Sequence, residues 1–391
     1  MNDGVVIAGW AHTTFGKLEA RDVETLMGAV VADALDHAGL GSQDVDFISV
    51  GVFNNGFSRQ GFEAGLIGAA VPGLALVPAL RCENACATGS AALHAACDFI
   101  AAGRGRVALV VGAEKMTGVA GATVGDILLS ASYRAEEDQV EAGFAGIFGQ
   151  IAARYFQRHG DRSQELAIIA AKNHANGVHN PFAHVRKDLG VAFCATVSDR
   201  NPLVAPPLRR TDCSMVSDGA AALVLVDGAL LPDLPRAIGF RARAQANDVM
   251  PVSRRGDVLA FDGARRAWAN ALAQAGVSLD DLDLVETHDC FTIAEMLEYE
   301  AMGLTGPGQG WRAAREGWTQ KDGRLPVNPS GGLKARGHPI GATGVSMHVM
   351  AAQQLTGQAG GMQIPGAEFA GVFNMGGVAV ANYVSVLERR K

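Results

Sequence analysis

Apolar residues in this chain fall into short runs separated by longer stretches of helical spacing. Val5 to Ala8 reads as a strand, Val23 to Ala38 as a helix closed by Gly39, and Val45 to Val50 as the next strand. Leu74 to Leu80 has the length of a core strand, and Ala87 to Ala102 is a small and apolar helix with no breaker except Gly89. Further on, Ala122 to Ser132 is small and apolar, Phe144 to Phe156 is helical, and Asn173-His174 to Asn180-Pro181 is turn-forming. Ala220 to Val226 and Leu282 to Glu286 are strands, the second followed by a helix over Ala294 to Met302. Phe369 to Val372 leads through a turn at Phe373 to Gly377 into a closing strand, Val378 to Val386. The alternation predicts an α/β fold.

Two phrases recur in the same order. Ala34-Leu35, Ala38-Gly39, Asp44 and Asp46 are matched at constant spacing by Ala271-Leu272, Ala275-Gly276, Asp281 and Asp283. Ala87-Thr88-Gly89 is matched by Ala342-Thr343-Gly344. An ordered pair of echoes indicates a duplicated half. The expected organisation is a first half over 1–117 that resumes at 218–235, an inserted domain over 118–217, and a second half over 236–391.

Composition narrows the function. A chain of 391 residues, 48% hydrophobic and 19% charged with 49 glycines, describes a loop-rich globular protein of more than one subdomain. A net charge of −7 without basic runs excludes a nucleic-acid footprint. The start Met1-Asn2-Asp3-Gly4 lacks the positive charge of a signal peptide and no run reaches membrane length, so a cytoplasmic protein is expected. Six cysteines without Cys-x-x-Cys spacing argue against a disulfide framework and a zinc site, and His174, His179 and His184 lie on different faces of a helix, so no metal is expected.

The candidate chemistry begins at Cys86, between the apolar segment and the helix. Orphan N–H groups and the helix dipole there would lower a thiol pKa, whereas the plain alternative is a cysteine packed as a small hydrophobe. His288 and Cys290 follow a strand end and, two residues apart, would share a face if extended; a packed cysteine beside an exposed histidine is the alternative. The glycine-rich run Asn328 to Gly344 can hold His338 rigidly at a helix start, against a reading as a phosphate cradle that lacks the usual Lys-Ser/Thr ending. Glycines in Phe373 to Gly377 would let a backbone N–H approach a reaction centre, or simply make a turn. Arg209 and Arg210 face a phosphate or are merely solvated.

With these residues in view, the whole chain resembles the thiolase family, and within it the sterol-carrier-protein type. The resemblance rests on Asn84-Ala85-Cys86-Ala87-Thr88-Gly89, on His288-Asp289-Cys290-Phe291 where other thiolases read Asn-Glu-Ala-Phe, and on Gly337-His338-Pro339-Ile340-Gly341-Ala342-Thr343-Gly344. It implies a five-layered αβαβα arrangement of two pseudo-repeated halves with an inserted loop domain. Cys86 would take the acyl group and His338 would activate it. His338 and a water held by His288 would stabilise the thioester oxyanion of the second substrate. The N–H groups of Cys86 and Gly376 would hold that of the acyl-enzyme. Cys290 would be the acid/base at the α-carbon, with Ser214 and Phe291 along the pantetheine arm of coenzyme A.

Most thiolases carry a second cysteine where this chain has Asn374, and the sterol-carrier-protein type resembles it in using the cysteine of His-Asp-Cys-Phe instead. The closing motif is short of glycine, which leaves the register of Gly376 open by one residue. The resemblance implies a CoA-dependent C-acyltransferase that cleaves 3-ketoacyl-CoA or condenses acyl-CoAs. Coenzyme A and acyl-CoA would be substrates and no cofactor would be bound permanently; no fused lipid-transfer domain is expected, and a homodimer or homotetramer is. The alternative is an acyl-CoA-binding subunit, or a carbon–carbon lyase needing a partner protein.

Overall fold

The computed structural model describes residues 4–391. Met1 to Asp3, part of the start read above for its lack of positive charge, lie outside the described residues. The chain begins with β1 (Val5–His12), α1 (Val23–Ala38), β2 (Phe47–Gly51), α2 (Glu63–Ala70), β3 (Ala79–Cys82), α3 (Thr88–Ala101) and β4 (Val107–Glu114). Helices α4 (Gly121–Leu129), α5 (Arg134–Glu137), α6 (Gly143–His159), α7 (Ser163–Gly177) and α8 (Gly190–Ala195) follow, then the hairpin β5 (Leu203–Ala205) and β6 (Leu208–Arg209). After β7 (Gly219–Asp227) come β8 (Ile238–Asn247), α9 (Asp262–Ala275), β9 (Leu284–Glu286), α10 (Thr292–Ala301) and α11 (Gly310–Arg315). The chain closes with α12 (Gly332–Arg336), α13 (Ile340–Leu355), β10 (Phe369–Gly376) and β11 (Ala381–Arg389).

Nine strands form one sheet in the order β3-β2-β4-β7-β1-β8-β11-β10-β9. The order is a mirror. In each arm the opening strand, β1 or β8, pairs antiparallel with β7 or β11; that strand pairs antiparallel with β4 or β10, which pairs parallel with β2 or β9. The strands of the two arms pair where Val6 and Ile7 face Gly239 and Ile238. The sequence echo has a local cause: α1 and α9 both end on a left-handed glycine, Gly39 at φ 73° and Gly276 at φ 66°. A short 3₁₀ turn then follows, in which Asp44 accepts the Gly41 N–H at 2.8 Å and Asp281 accepts the Ser278 N–H at 2.7 Å.

Helices α1 and α2 cover the outer face of the first arm and α9 that of the second, while α3 and α13 pack against each other between the arms. This gives the five layers. Glycine makes the central layer possible. A Cβ on Gly89 would lie 2.7 Å from the Val345 nitrogen, and one on Gly344 would lie 2.3 Å from the Ser90 nitrogen. On the sheet beneath, a Cβ on Gly112 would meet the Gly341 carbonyl at 2.5 Å. The echoed Thr-Gly pairs are therefore the crossing point of α3 and α13, and the crossing holds Cys86 and His338 at neighbouring helix starts.

Three predicted elements differ. Leu74 to Leu80 is not a core strand: Pro72 opens a 3₁₀ turn that buries Leu74 alone, and the strand starts only after Pro78, as an exposed edge paired with β2. The segment from Asn173 continues α7 to Gly177, because Lys172, Asn173 and Asn176 find buried partners in the second half that hold the helix. Phe373 to Gly376 is strand rather than turn, since its backbone pairs with Val384 to Ala381; the turn is Gly377 to Val380.

Gly344→Ala should destabilise the protein by about 1–3 kcal/mol through overpacking at the helix crossing, read by denaturant unfolding. Gly125→Ala in α4, where no atom lies within 4 Å of the added carbon, should be neutral or stabilising. Equal effects from both would contradict the close-approach argument.

Candidate active site

Cys86 sits in a tight turn before α3. Ala85 adopts φ 49°, a left-handed conformation that strains a residue with a Cβ, and the turn is held by the Asn84 N–H donating to Thr88 Oγ1 at 2.8 Å. The Cys86 sulfur faces its own N–H and that of Gly377. Burial pushes its thiol up to about 12, and these two N–H groups oppose the rise without overcoming it. The expectation of a lowered pKa fails because the helix dipole acts on a group removed from water. Cys86 is a thiol at rest.

His338 stands just before α13, positioned by Gly337 at φ 106° and by its own N–H donating to the Met215 carbonyl. Thr343 Oγ1 donates to the Pro339 carbonyl at 2.9 Å, so its contact with His338 Nδ1 at 2.7 Å must be one in which the imidazole donates. The proton is on Nδ1. Nε2 keeps its lone pair and has no hydrogen-bond partner among the described residues. Burial, reinforced by the Arg336 charge, pushes His338 down to about 3.

His288 and Cys290 lie on the loop after β9, and both are buried. The His288 ring meets that of His338 edge-on, centroids 5.0 Å apart and planes at 84°. The Cys86 sulfur and one ring nitrogen of each imidazole all lie within 4.8 Å of one another. Burial raises Cys290 well above the usual thiol range, and the charge of a Cys86 thiolate would raise it further. Asp289 binds outside this cluster, accepting from Leu333 N at 2.6 Å, Lys334 N at 3.1 Å and Asn173 Nδ2 at 2.7 Å. Gly332 wraps this carboxylate, where a Cβ would come within 2.3 Å of Oδ2.

The amide that faces Cys86 belongs to Gly377, one residue beyond Gly376. Gly376 is occupied in the strand opposite Ala381, with its α-carbon against the Asn84 carbonyl. Ser214 is half-buried and its N–H donates to the Cys290 carbonyl at 2.9 Å. Phe291 stacks on Phe148 of α6 at 4.4 Å, in an aromatic cluster reached from the inserted helices. Arg209 is buried and paired with Asp212 at 2.8 Å, while Arg210 is exposed.

Sequence reasoning missed the supports. Asp289 ties the histidine loop to the glycine-rich loop. Buried Lys172 pairs with Glu295 at 2.5 Å, and Arg336 with Glu286 at 3.3 Å. Glu114, at the end of β4, accepts the N–H groups of Phe53, Asn54 and Gly341 and so anchors the start of α13. Asn374 bonds to both Cys86 and His288. The one legible signal was the density of charged residues among otherwise apolar runs, as in Thr292 to Ala301.

Because the Cys86 thiol is held near 12, its thiolate fraction rises throughout the neutral and mildly alkaline range. Its alkylation rate by iodoacetamide should therefore climb by about tenfold per pH unit between pH 7 and 10. Peptide mass mapping of the modified cysteine would follow it. A plateau at neutral pH would mean a preformed thiolate–imidazolium pair and contradict the assigned protonation.

Comparison with known proteins agrees with this arrangement. Residues 5–196 match the model of the thiolase N-terminal domain, and residues 244–389 that described as thiolase C-terminal domain-like. The acetyl-CoA acetyltransferase of Methanothermobacter thermautotrophicus is 35% identical over 98% of this chain and 99% of its own. Bovine sterol carrier protein 2 is 32% identical over 78% of this chain and 58% of its own. The benzoylsuccinyl-CoA thiolase subunit BbsB of Thauera aromatica is 30% identical over 92% of this chain and 91% of its own. Among solved structures, a chain of the Ltp2-ChsH2(DUF35) aldolase superposes with a TM-score of 0.85 at 21% identity, covering 100% of this chain and 99% of that one. An acetyl-CoA acetyltransferase from Syntrophomonas wolfei gives 0.71 at 18% identity, covering 98% of each chain. With both family domains matched in order along its length, the chain belongs to the thiolase family of acyltransferases.

Proposed function

We propose that the protein is a CoA-dependent C-acyltransferase that works through a Cys86 acyl-enzyme, cleaving 3-ketoacyl-CoA with coenzyme A or condensing acyl-CoAs in reverse. The observation that carries this reading is the convergence of Cys86, His288 and His338 from the two halves around one buried point. In the condensing direction, the Cys86 thiol gives its proton to the bare Nε2 of His338 as the sulfur attacks the thioester carbonyl. The N–H groups of Cys86 and Gly377 receive the oxyanion, and coenzyme A leaves as its thiol. Cys290, left as a thiolate after giving its proton to the departing coenzyme A sulfur, then removes the α-proton of a second acyl-CoA, whose enolate oxygen faces His288. The carbanion attacks the acyl-enzyme and expels the Cys86 sulfur, which takes its proton back from His338.

Ser214, whose N–H bonds to the Cys290 carbonyl, and Phe291, stacked on Phe148, are the proposed contacts for pantetheine. The working division is 1–117 with 218–235, 118–217, and 236–391. A homodimer is supported by the edge strand β3, which leaves Leu80 partly exposed and follows the fully exposed Leu76. No helix among the described residues is long and apolar enough to cross a membrane, and the proposed location is cytoplasmic. The fold likeness to an aldolase chain supports a second reading, a carbon–carbon lyase that works with a partner protein. Cleavage of acetoacetyl-CoA by the purified protein alone decides for the first reading; activity only with an added partner decides for the second.

Intact mass spectrometry after mixing with acyl-CoA should show an acyl adduct on the wild type and none on Cys86→Ala. An adduct persisting in that variant would move the nucleophile elsewhere. Cys290→Ala should still accept the acyl group but lose exchange of the α-proton of a bound thioester with deuterium. Unimpaired exchange would remove Cys290 from the acid/base role.

A further inference from the structure

We propose that Asn374 is a positioning residue that fixes the tautomer of His288, making this imidazole a hydrogen-bond donor toward the cavity rather than a base or a metal ligand. Asn374 lies near the end of β10 and is fully buried. Its Nδ2 donates to the Cys86 carbonyl at 3.0 Å and contacts His288 Nδ1 at 2.9 Å, and its Oδ1 accepts from Ser90 Oγ at 2.8 Å. A main-chain carbonyl can only accept, so the amide nitrogen must face Cys86 and the amide cannot be turned round without opposing two oxygens. Both Nδ2 hydrogens are then committed, one to Cys86 and one to His288. The ring nitrogen that receives the second must carry a lone pair. The His288 proton is therefore on Nε2, the atom left without a partner among the described residues.

The two imidazoles thus present opposite ends to the same space. Thr343 forces the His338 proton onto Nδ1 and leaves Nε2 an acceptor, while Asn374 forces the His288 proton onto Nε2 and leaves it a donor. The distinction matters because a sulfur and two imidazole nitrogens within 4.8 Å of one another would otherwise suit a tetrahedral zinc ion with an open fourth position. An Nε2 that carries hydrogen cannot ligate. Asn374 therefore assigns His288 to stabilising an oxygen anion and withholds the third metal ligand. The oxyanion part of this assignment rests on the acyl-transfer reading; the tautomer does not.

The test is the tautomer of His288 in the full-length protein at neutral pH, read from ¹³C and ¹⁵N side-chain shifts with isotope-labelled histidine. The signal is assigned by its loss in His288→Gln. The wild type should show Nε2–H alone, Asn374→Ala a mixture, and Asn374→Asp Nδ1–H, because a carboxylate only accepts. A wild type with Nδ1–H, or an Asn374→Ala variant that keeps Nε2–H alone, would overturn the proposal. Cobalt(II) chloride gives a second readout: thiolate-to-cobalt absorption should be absent in the wild type and present in Asn374→Asp, and should disappear when Cys86→Ala is added. Such a band in the wild type that is lost in His288→Gln would also overturn it. Should Asn374→Asp fail to fold, Asn374→Ala carries the test, with kcat for acyl transfer expected to fall about 10²-fold as for loss of one oxyanion donor and KM little changed. A wild type that is inactive yet shows Nε2–H refutes the acyltransferase reading alone; an active one that shows Nδ1–H refutes this inference alone.

Discussion

The contact on which the structure depends is the crossing of two helices at Gly89 and Gly344. Each helix holds the equivalent place in one half of a duplicated fold, and Cys86 or His338 stands at its start. Without a Cβ at the crossing, backbone meets backbone, and the Cys86 turn comes to lie beside His338. The mirrored sheet order supplies the frame for this meeting. Each arm presents a helix to the seam, and β9 and β10 bring His288, Cys290 and Asn374 to the same end of the sheet. The site is thus a consequence of duplication followed by close packing, with the inserted helices fastened to it through Lys172 and Asn173.

Burial then decides the electrostatics. The sulfurs and imidazoles are removed from water, so each is neutral at rest, and no group gains from a permanent ion pair there. In a site of neutral groups, function depends on where single protons sit. Neighbouring hydrogen bonds settle that: Thr343 orders His338, and Asn374 orders His288. The charged residues that do occur nearby, Asp289, Glu286 with Arg336 and Lys172 with Glu295, are taken up by backbone and side-chain partners, where they hold loops in place. Removing one member of such a buried pair typically costs about 3–5 kcal/mol.

Much of this was legible in the chain itself. Helix α1 has the bounds its pattern predicts, because Asp22 caps its start and Gly39 its end, both local signals. The repeated Ala-Gly and Asp positions marked the duplication for the same reason: a cap and a turn are written within a few residues. The misreadings come from tertiary context. Leu74 to Leu80 is apolar without being core, since its position at a sheet edge is set by strands elsewhere. The Cys86 thiol looked acidic from its place before a helix, but burial is contributed by the whole fold. Asn374 could be noticed only as the residue standing where related chains carry cysteine. Its bonds reach Ser90 and Cys86 across 284 and 288 residues of sequence, and no spacing rule reports such a contact.

The central claim is that a sulfur from each half meets the other at one buried site. A short bifunctional alkylating agent such as 1,3-dibromoacetone, applied to the native protein and followed by peptide mass mapping, measures this directly. The account predicts a single intramolecular bridge joining Cys86 to Cys290. Bridges to Cys82, Cys97, Cys194 or Cys213 in its place, or separate single alkylation of Cys86 and Cys290 with no bridge between them, would contradict it.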